Sequence, residues 1–358
     1  MIHSDIPTRP QIDQLLDARD AASVSLYLPT GRSTLESQQD RVALSNLGDL
    51  VRSKLEAAGA DADTVTALDE GIEAIVDDDD FWTRPANSLA VFLTPHSERT
   101  FRLPNQLSQS VEVSDRFHVS PLMRAVTFPQ AAHVLALSKG AVRLLEIGPD
   151  GTAQEIGVSD MPRDAWDPRS NKVFKARDRS YVRQIDHAIR SVLNHSDLPL
   201  IIAATEGIDA LYRTVNTYPR LVDARWPGNP EELTDAELAA NVRTILDEVY
   251  AAELDDLAKL FDTRNSQGRA ATDVSDVARL ATMGAVDTVL IDFEAVLPGT
   301  IDETSGAVTF ADAPSADTYG ILDEIARRVH LTGGRVLAVR SDDIPQQTPV
   351  AAILRYTP

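Results

Sequence analysis

The densest chemistry in the chain lies between residues 163 and 183, which read RDAWDPRSNKVFKARDRSYVR. Arg163, Arg169, Lys172, Lys175, Arg177, Arg179 and Arg183 stand there against Asp164, Asp167 and Asp178. That is a local charge of +4 in a protein whose formal net charge is −21. A cationic segment in an acidic chain suits an anionic partner, and phosphates draw on Lys and Arg. The plain alternative is a solvated helix start with scattered charges. Trp166, Phe174 and Tyr181 are interleaved with the cations, as stacking on unpaired bases requires. The same rings would equally serve to anchor the loop to its own domain.

Other chemistry is sparse. No phosphate-binding glycine loop, dinucleotide fingerprint, zinc-protease helix or nucleophile elbow is present. Cysteine is absent, which removes disulfides, thiol catalysis and thiolate-bound metal. The seven His are scattered without helical i,i+3 or i,i+4 pairing, so no metal site is expected. His187 lies on the helix after the basic stretch and reads as structural or solvated. The run Asp77, Asp78, Asp79 and Asp80 lacks the ligand spacing of a calcium loop and reads as a solvated turn, as do Asp342 and Asp343. No cofactor is implied.

The elements that must position the basic stretch follow from periodicity. A helix over 9–19 precedes a strand over 23–30, SVSLYLPT. Leu44, Leu47, Leu50, Val51 and Leu55 form the stripe of a helix over 41–58, stopped by Gly59, and a second helix covers 63–76. Strands are expected at 89–95 and within 101–113. A hairpin over 133–148 turns at 138–140. After the basic segment the chain becomes helical near Ser180, where Tyr181, Ile185, Ala188, Ile189 and Val192 share a face. The apolar run LPLIIAAT, 198–205, reads as a strand buried on both faces. A short helix over 207–215 leads to a Pro- and Gly-bearing linker at 226–230. A long helix over 235–261 follows. Then come a helix capped by Gly284, a strand over 288–291, a polar segment, a helix over 316–331, and strands over 335–339 and 351–356. Alternation of strands and helices predicts α/β layering.

At 358 residues and about 100–200 residues per domain, two or three domains are expected. Boundaries near 128 and 228 divide the charge unevenly: −9 over 1–128, +1 over 129–228 and −13 over 229–358. Only the middle third can face a polyanion without general repulsion. The acidic outer thirds suit protein partners instead. No apolar run of 18 residues and no secretory leader are seen, so a cytoplasmic protein is expected.

Two stretches of the last third carry a resemblance. DVSDVARLATMGAVDTVLID (273–292) and GGRVLAVRSDD followed by VAAILRY (333–343 and 350–356) resemble the C-terminal domain of the archaeo-eukaryotic release factor and Pelota superfamily. SVSLYLPT resembles the opening of that superfamily's N-terminal domain. FWTRPANSLAVFLTP (81–95) and SDRFHVSPLM (114–123) look like its bacterial branch, and HVLALSKGAVRLLE resembles the first hairpin of the central domain. The resemblance implies three domains: an N-terminal α/β domain over 1–128, an RNase H-like domain over 129–228 and a C-terminal α/β domain over 229–358. In release factors a Gly-Gly-Gln loop before the long helix of the central domain positions water against the peptidyl-tRNA ester. The corresponding loop here is 158–179, the basic segment. It holds neither Gly-Gly-Gln nor any glycine, and Gln184 falls inside the predicted helix. No stop-codon-reading motif is found in the N-terminal third.

The resulting expectation is a translation-associated protein that binds the ribosome or tRNA through Arg163, Trp166, Arg169, Lys172, Phe174, Lys175, Arg177, Arg179 and Arg183. Two alternatives stand beside it: a peptidyl-tRNA ester hydrolase using Asn171 or Asp167, and a non-catalytic adaptor for proteins. Neither membrane nor DNA is an expected partner.

Overall fold

In the computed structural model of the chain, the described residues are 7–31, 36–83, 86–103, 105–137, 142–148, 151–162, 174–194, 196, 198–224, 226, 233–313, 315 and 318–357, the side chains of 9 and of 174–178 excepted. The first elements are α1 (Arg9–Asp17), β1 (Ser23–Pro29), α2 (Ser37–Ala57), α3 (Ala62–Asp77), β2 (Ser88–Thr94), β3 (Ser97–Leu103), β4 (Ser110–Ser114) and α4 (Ser120–Thr127). Asp61 caps α3 by accepting the Thr64 N–H at 2.8 Å, which fixes where that helix begins. The four strands form an antiparallel sheet in the order β3-β2-β1-β4. Its strand residues alternate between two cores. Val24, Leu26, Leu28, Leu89, Val91 and Leu93 pack with Leu44, Leu47 and Val51 of α2 and with Leu68 and Ile72 of α3. Tyr27, Ala90, Phe92 and Phe101 point the other way. Alternate burial of this kind is what period-two strands produce. The run Asp77, Asp78, Asp79 and Asp80 is exposed at the end of α3, with Asp79 paired to Arg41 at 2.7 Å.

The middle elements are β5 (Ala132–Leu137), β6 (Val142–Ile147), β7 (Ala153–Ile156), α5 (Phe174–Leu193), β8 (Leu200–Ala204), α6 (Glu206–Arg213) and α7 (Asp235–Ser266). Their sheet runs β7-β6-β5-β8, an antiparallel meander followed by a strand parallel to β5. Helices cover both faces. Leu135, Leu137, Leu200 and Ile202 pack on Val182, Ile185 and Ile189 of α5 and on Ile208 and Tyr212 of α6. Val134, Ile201 and Ala203 pack on Leu238, Val242, Ile245 and Leu246 of α7. β8 is therefore buried on both faces although it lies at the sheet edge, and its outer side is bridged at Leu200 by the 220–222 segment. The arrangement is the α/β layering that alternating strands and helices predict.

The last elements are β9 (Ala270–Ala271), α8 (Val274–Thr282), β10 (Val286–Asp292), β11 (Pro298–Ile301), β12 (Val308–Phe310), β13 (Tyr319–Gly320), α9 (Ile321–Leu331), β14 (Arg335–Val339) and β15 (Val350–Leu354). One sheet runs β14-β10-β15-β9 and a smaller one β12-β11-β13. Gly284, at a φ of 68°, ends α8 as expected. The polar segment after β10 contains two strands that periodicity does not reveal, because β11 and β12 have only four and three residues.

Two compact units result. One consists of Met1–Phe128 with Leu254–Pro358, the other of Pro129–Glu253. Within the first, a single apolar core joins Tyr27, Phe92, Phe101 and Leu122 to Val277, Leu280, Ile321, Ile325 and Val329. Within the second, α7 contributes its first part, up to Glu253, so this helix supplies one face of the middle sheet.

Candidate nucleic-acid interface

Of the basic stretch, the cations whose side chains the structure describes, Arg179 and Arg183, lie on helix α5. It starts at Phe174 and not near Ser180, so the helix reaches back into the basic stretch. The reason is local. Lys175, Ala176, Arg177 and Arg179 are good helix formers, and no Gly or Pro interrupts them. An apolar stripe appears only from Val182 onward, which is why periodicity placed the start too late. Val182, Ile185, Ala188 and Ile189 are buried against the sheet, while Arg179, Ser180, Arg183, Gln184 and His187 are exposed on the opposite side. Arg179, Arg183 and His187 follow one another at four-residue steps, about 6 Å of rise each. Among the described residues, neither Arg179 nor Arg183 has an ion-pair partner. Lys175 occupies the turn before Arg179 on the same helix.

The inner side of α5 is tied down by one buried carboxylate. Asp186 is 4% exposed and accepts from Tyr212 O–H at 3.0 Å, from Thr217 N–H at 3.2 Å and from Thr217 Oγ1 at 2.6 Å. Burial, reinforced by the Asp186 charge, pushes the Tyr212 phenol far above its ordinary value, so it remains a donor. Arg190 donates to the Thr217 carbonyl at 2.8 Å, to Thr217 Oγ1 at 2.6 Å and to Asn194 Oδ1 at 3.1 Å. Arg190 is thus committed to holding the segment after α6, whereas Arg179 and Arg183 are not. The division of labour is clear: Asp186 and Arg190 orient the helix, and the outer arginines present charge.

Of the predicted residues, Arg179 and Arg183 are brought together on this exposed stripe. Phe174, Lys175 and Arg177 lie in the first turns of α5, with side chains outside the described residues. Arg163, Trp166, Asp167, Arg169, Asn171 and Lys172 lie outside the described residues altogether. Sequence reasoning missed Asp186, Tyr212 and Thr217 as a unit. An Asp on the apolar side of a helix, one position past buried Ile185, is the signal that marked it. No group of three or more metal-ligating side chains gathers among the described residues. No helix of the described residues is long and apolar enough to cross a membrane.

Residues 129–252 match the profile of Bacterial archaeo-eukaryotic release factor family 11. No curated protein matches the chain. Among solved structures, the chain is similar to ribosome-bound archaeal Pelota at 14% identity and a TM-score of 0.43, covering 75% of this chain and 77% of that one. It is similar to Dom34 of S. cerevisiae, a translation termination-like factor involved in RNA quality control, at 14% identity and a TM-score of 0.43, with 79% and 76% covered. An archaeal translation termination factor, aRF1, aligns over 96% of both chains at 13% identity and a TM-score of 0.23. The segment that matches the family 11 profile, 129–252, holds both the basic stretch and α5.

Proposed function

We propose that this protein is a translation-associated factor that contacts ribosomal RNA or tRNA through the basic segment 163–183, as a binding element without Gly-Gly-Gln chemistry. One observation carries the reading. The exposed Arg179 and Arg183 stripe is the last part of a +4 sequence segment, inside the part of the chain that matches the release-factor family profile. Cations held on a helix and lacking protein partners are suited to phosphate oxygens, and such contacts position a partner without reading its bases. The acidic outer thirds, at −9 and −13, would be repelled by the same polyanion and keep contact local.

The test is co-sedimentation with ribosomes, and tRNA binding, at low and moderate salt. The wild-type chain binds at low salt and is released as salt rises. The double variant Arg179→Glu, Arg183→Glu binds more weakly, and its log affinity against log salt is shallower by roughly one unit per lost contact. A wild-type chain that binds neither RNA, or a double variant with the parental salt slope, removes the proposal.

A further inference from the structure

Asp323, in the first turn of α9, has both carboxylate oxygens engaged by a segment some 200 positions earlier. Its Oδ1 accepts from Val119 N–H at 2.9 Å, Ser120 N–H at 2.7 Å and Ser120 Oγ–H at 2.7 Å. A residue of α9 thereby satisfies the open amides at the start of α4, a role normally filled by a helix's own N-cap side chain. Its Oδ2 lies 2.5 Å from His118 Nδ1. His118 is in turn held on both backbone groups: its N–H donates to Ser25 Oγ at 2.9 Å, and its carbonyl accepts from Tyr27 O–H at 2.7 Å. His118 is 7% and Asp323 4% exposed. A carboxylate buried to this degree needs hydrogen-bond partners, and here both of its oxygens have them.

The other charged groups nearby are already matched. From the 115–117 segment, Arg116 pairs with Asp115 at 2.7 Å and with Glu324 of α9 at 2.6 Å, and it stacks on the Tyr319 ring of β13 at 3.5 Å. Within α9, Arg328 pairs with Glu324 at 2.8 Å, and Arg327 reaches the same carboxylate. Arg19, before β1, also approaches Glu324. From β1, Tyr27 meets His118 edge-on at 6.0 Å. From β4, Glu112 adds a second negative field at the imidazole. His118 borders a cavity of about 20 Å³ lined also by Glu112, Arg116 and Tyr319, room for one water-sized species.

We propose that the His118–Asp323 pair is a protonation-controlled latch holding the 115–120 segment and the start of α4 against α9. Burial alone would lower the His118 pKa, but the Asp323 carboxylate, assisted by Glu112, outweighs it and holds the imidazole above its ordinary value. On the other side, burial would raise Asp323, yet His118 and Ser120 hold it below its ordinary value. The sign follows. A His whose folded pKa is raised stabilises the fold fully below the ~6.5 of an unfolded His, and that stabilisation is lost as pH rises through the folded value. Neutral His118 can still donate through Nδ1, so the latch loosens above that pH and does not break.

The experiment is a pH titration of the full chain by NMR, with His118 assigned through its backbone and amide exchange followed at Val119 and Ser120. The imidazole is expected to titrate with a midpoint above ~6.5. Protection at Val119 and Ser120, corrected for intrinsic pH dependence, should fall severalfold through the same midpoint. In Asp323→Asn the His118 midpoint drops, and in His118→Gln the protection no longer changes with pH. A His118 midpoint at or below ~6.5, or protection that ignores it, overturns the latch. Both readings are available from the wild-type chain alone should either variant fail to fold.

Discussion

His133 and His118 are both buried, and their surroundings drive them in opposite directions. His118 has a carboxylate on its ring. His133, at the start of β5 and 2% exposed, has only Ser196 Oγ on Nε2 at 2.8 Å. Burial without a counter-charge pushes His133 down to about 4. The linkage sign is then the reverse of the latch. The neutral imidazole favours the fold above ~6.5, and that contribution is lost as pH falls through about 4, up to roughly 3 kcal/mol. Urea midpoints between pH 4 and pH 7 should therefore fall less steeply with acid in His133→Gln than in the wild type. In sequence, both histidines are simply isolated His in apolar context. Nothing local separates them, because the deciding neighbour of His118 comes from a helix that begins near residue 321.

At the scale of elements, most strands and helices were legible, and the failures have physical causes. β1, β2, β5 and β8 are rich in apolar, β-branched and aromatic residues, and such runs announce themselves. The expected strand within 101–113 is split between β3 and β4, as Pro104 between them would dictate. β7, β11 and β12 are short, and two of them lie in polar sequence, so pairing with neighbours and not pattern creates them. α5 shows the complementary lesson: propensity extends a helix beyond its apolar stripe. Its docking rests on Asp186. Asp186→Ala should strand the Tyr212 hydroxyl and the Thr217 N–H without their acceptor and cost roughly 1–3 kcal/mol, read by urea unfolding. Arg179 and Arg183 substitutions on the outer face should leave the same midpoint within about 0.5 kcal/mol. That contrast separates the residues that orient the helix from those proposed to meet RNA. The candidate stripe itself was half legible: charge located it, but which cations face outward depended on the buried side that α5 turns to the sheet.

At the scale of the molecule, chain order and unit order differ. The middle unit is one continuous stretch, Pro129–Glu253, whereas the other is assembled from Met1–Phe128 and Leu254–Pro358. A fragment of 129–253 should therefore unfold cooperatively alone, with sharp near-ultraviolet circular dichroism. A fragment of 1–128 should not: one face of its sheet, with Tyr27, Phe92 and Phe101, loses its covering, and His118 and Arg116 lose Asp323 and Glu324. Strong dye binding and broad melting are the expected signs. Periodicity reports each element and is blind to which distant segment completes its core.

The capping of α4 by Asp323 has a consequence in time. Synthesis runs from the N-terminus, and domains generally fold as units as they emerge. The amides at Val119 and Ser120 are made long before the carboxylate that closes them, which arrives only after the whole middle unit has been translated. The middle unit can be finished while the first 128 residues still wait, with Tyr27, Phe92 and Phe101 lacking part of their covering. Closing so long a loop in one step would be entropically slow for a free chain, but the folded insert shortens the effective separation between its ends. On a stalled or truncated message the nascent chain would thus carry a completed middle unit while its first 128 residues are still unfinished. The order of translation, and not only the final contacts, decides when this protein becomes a single finished object.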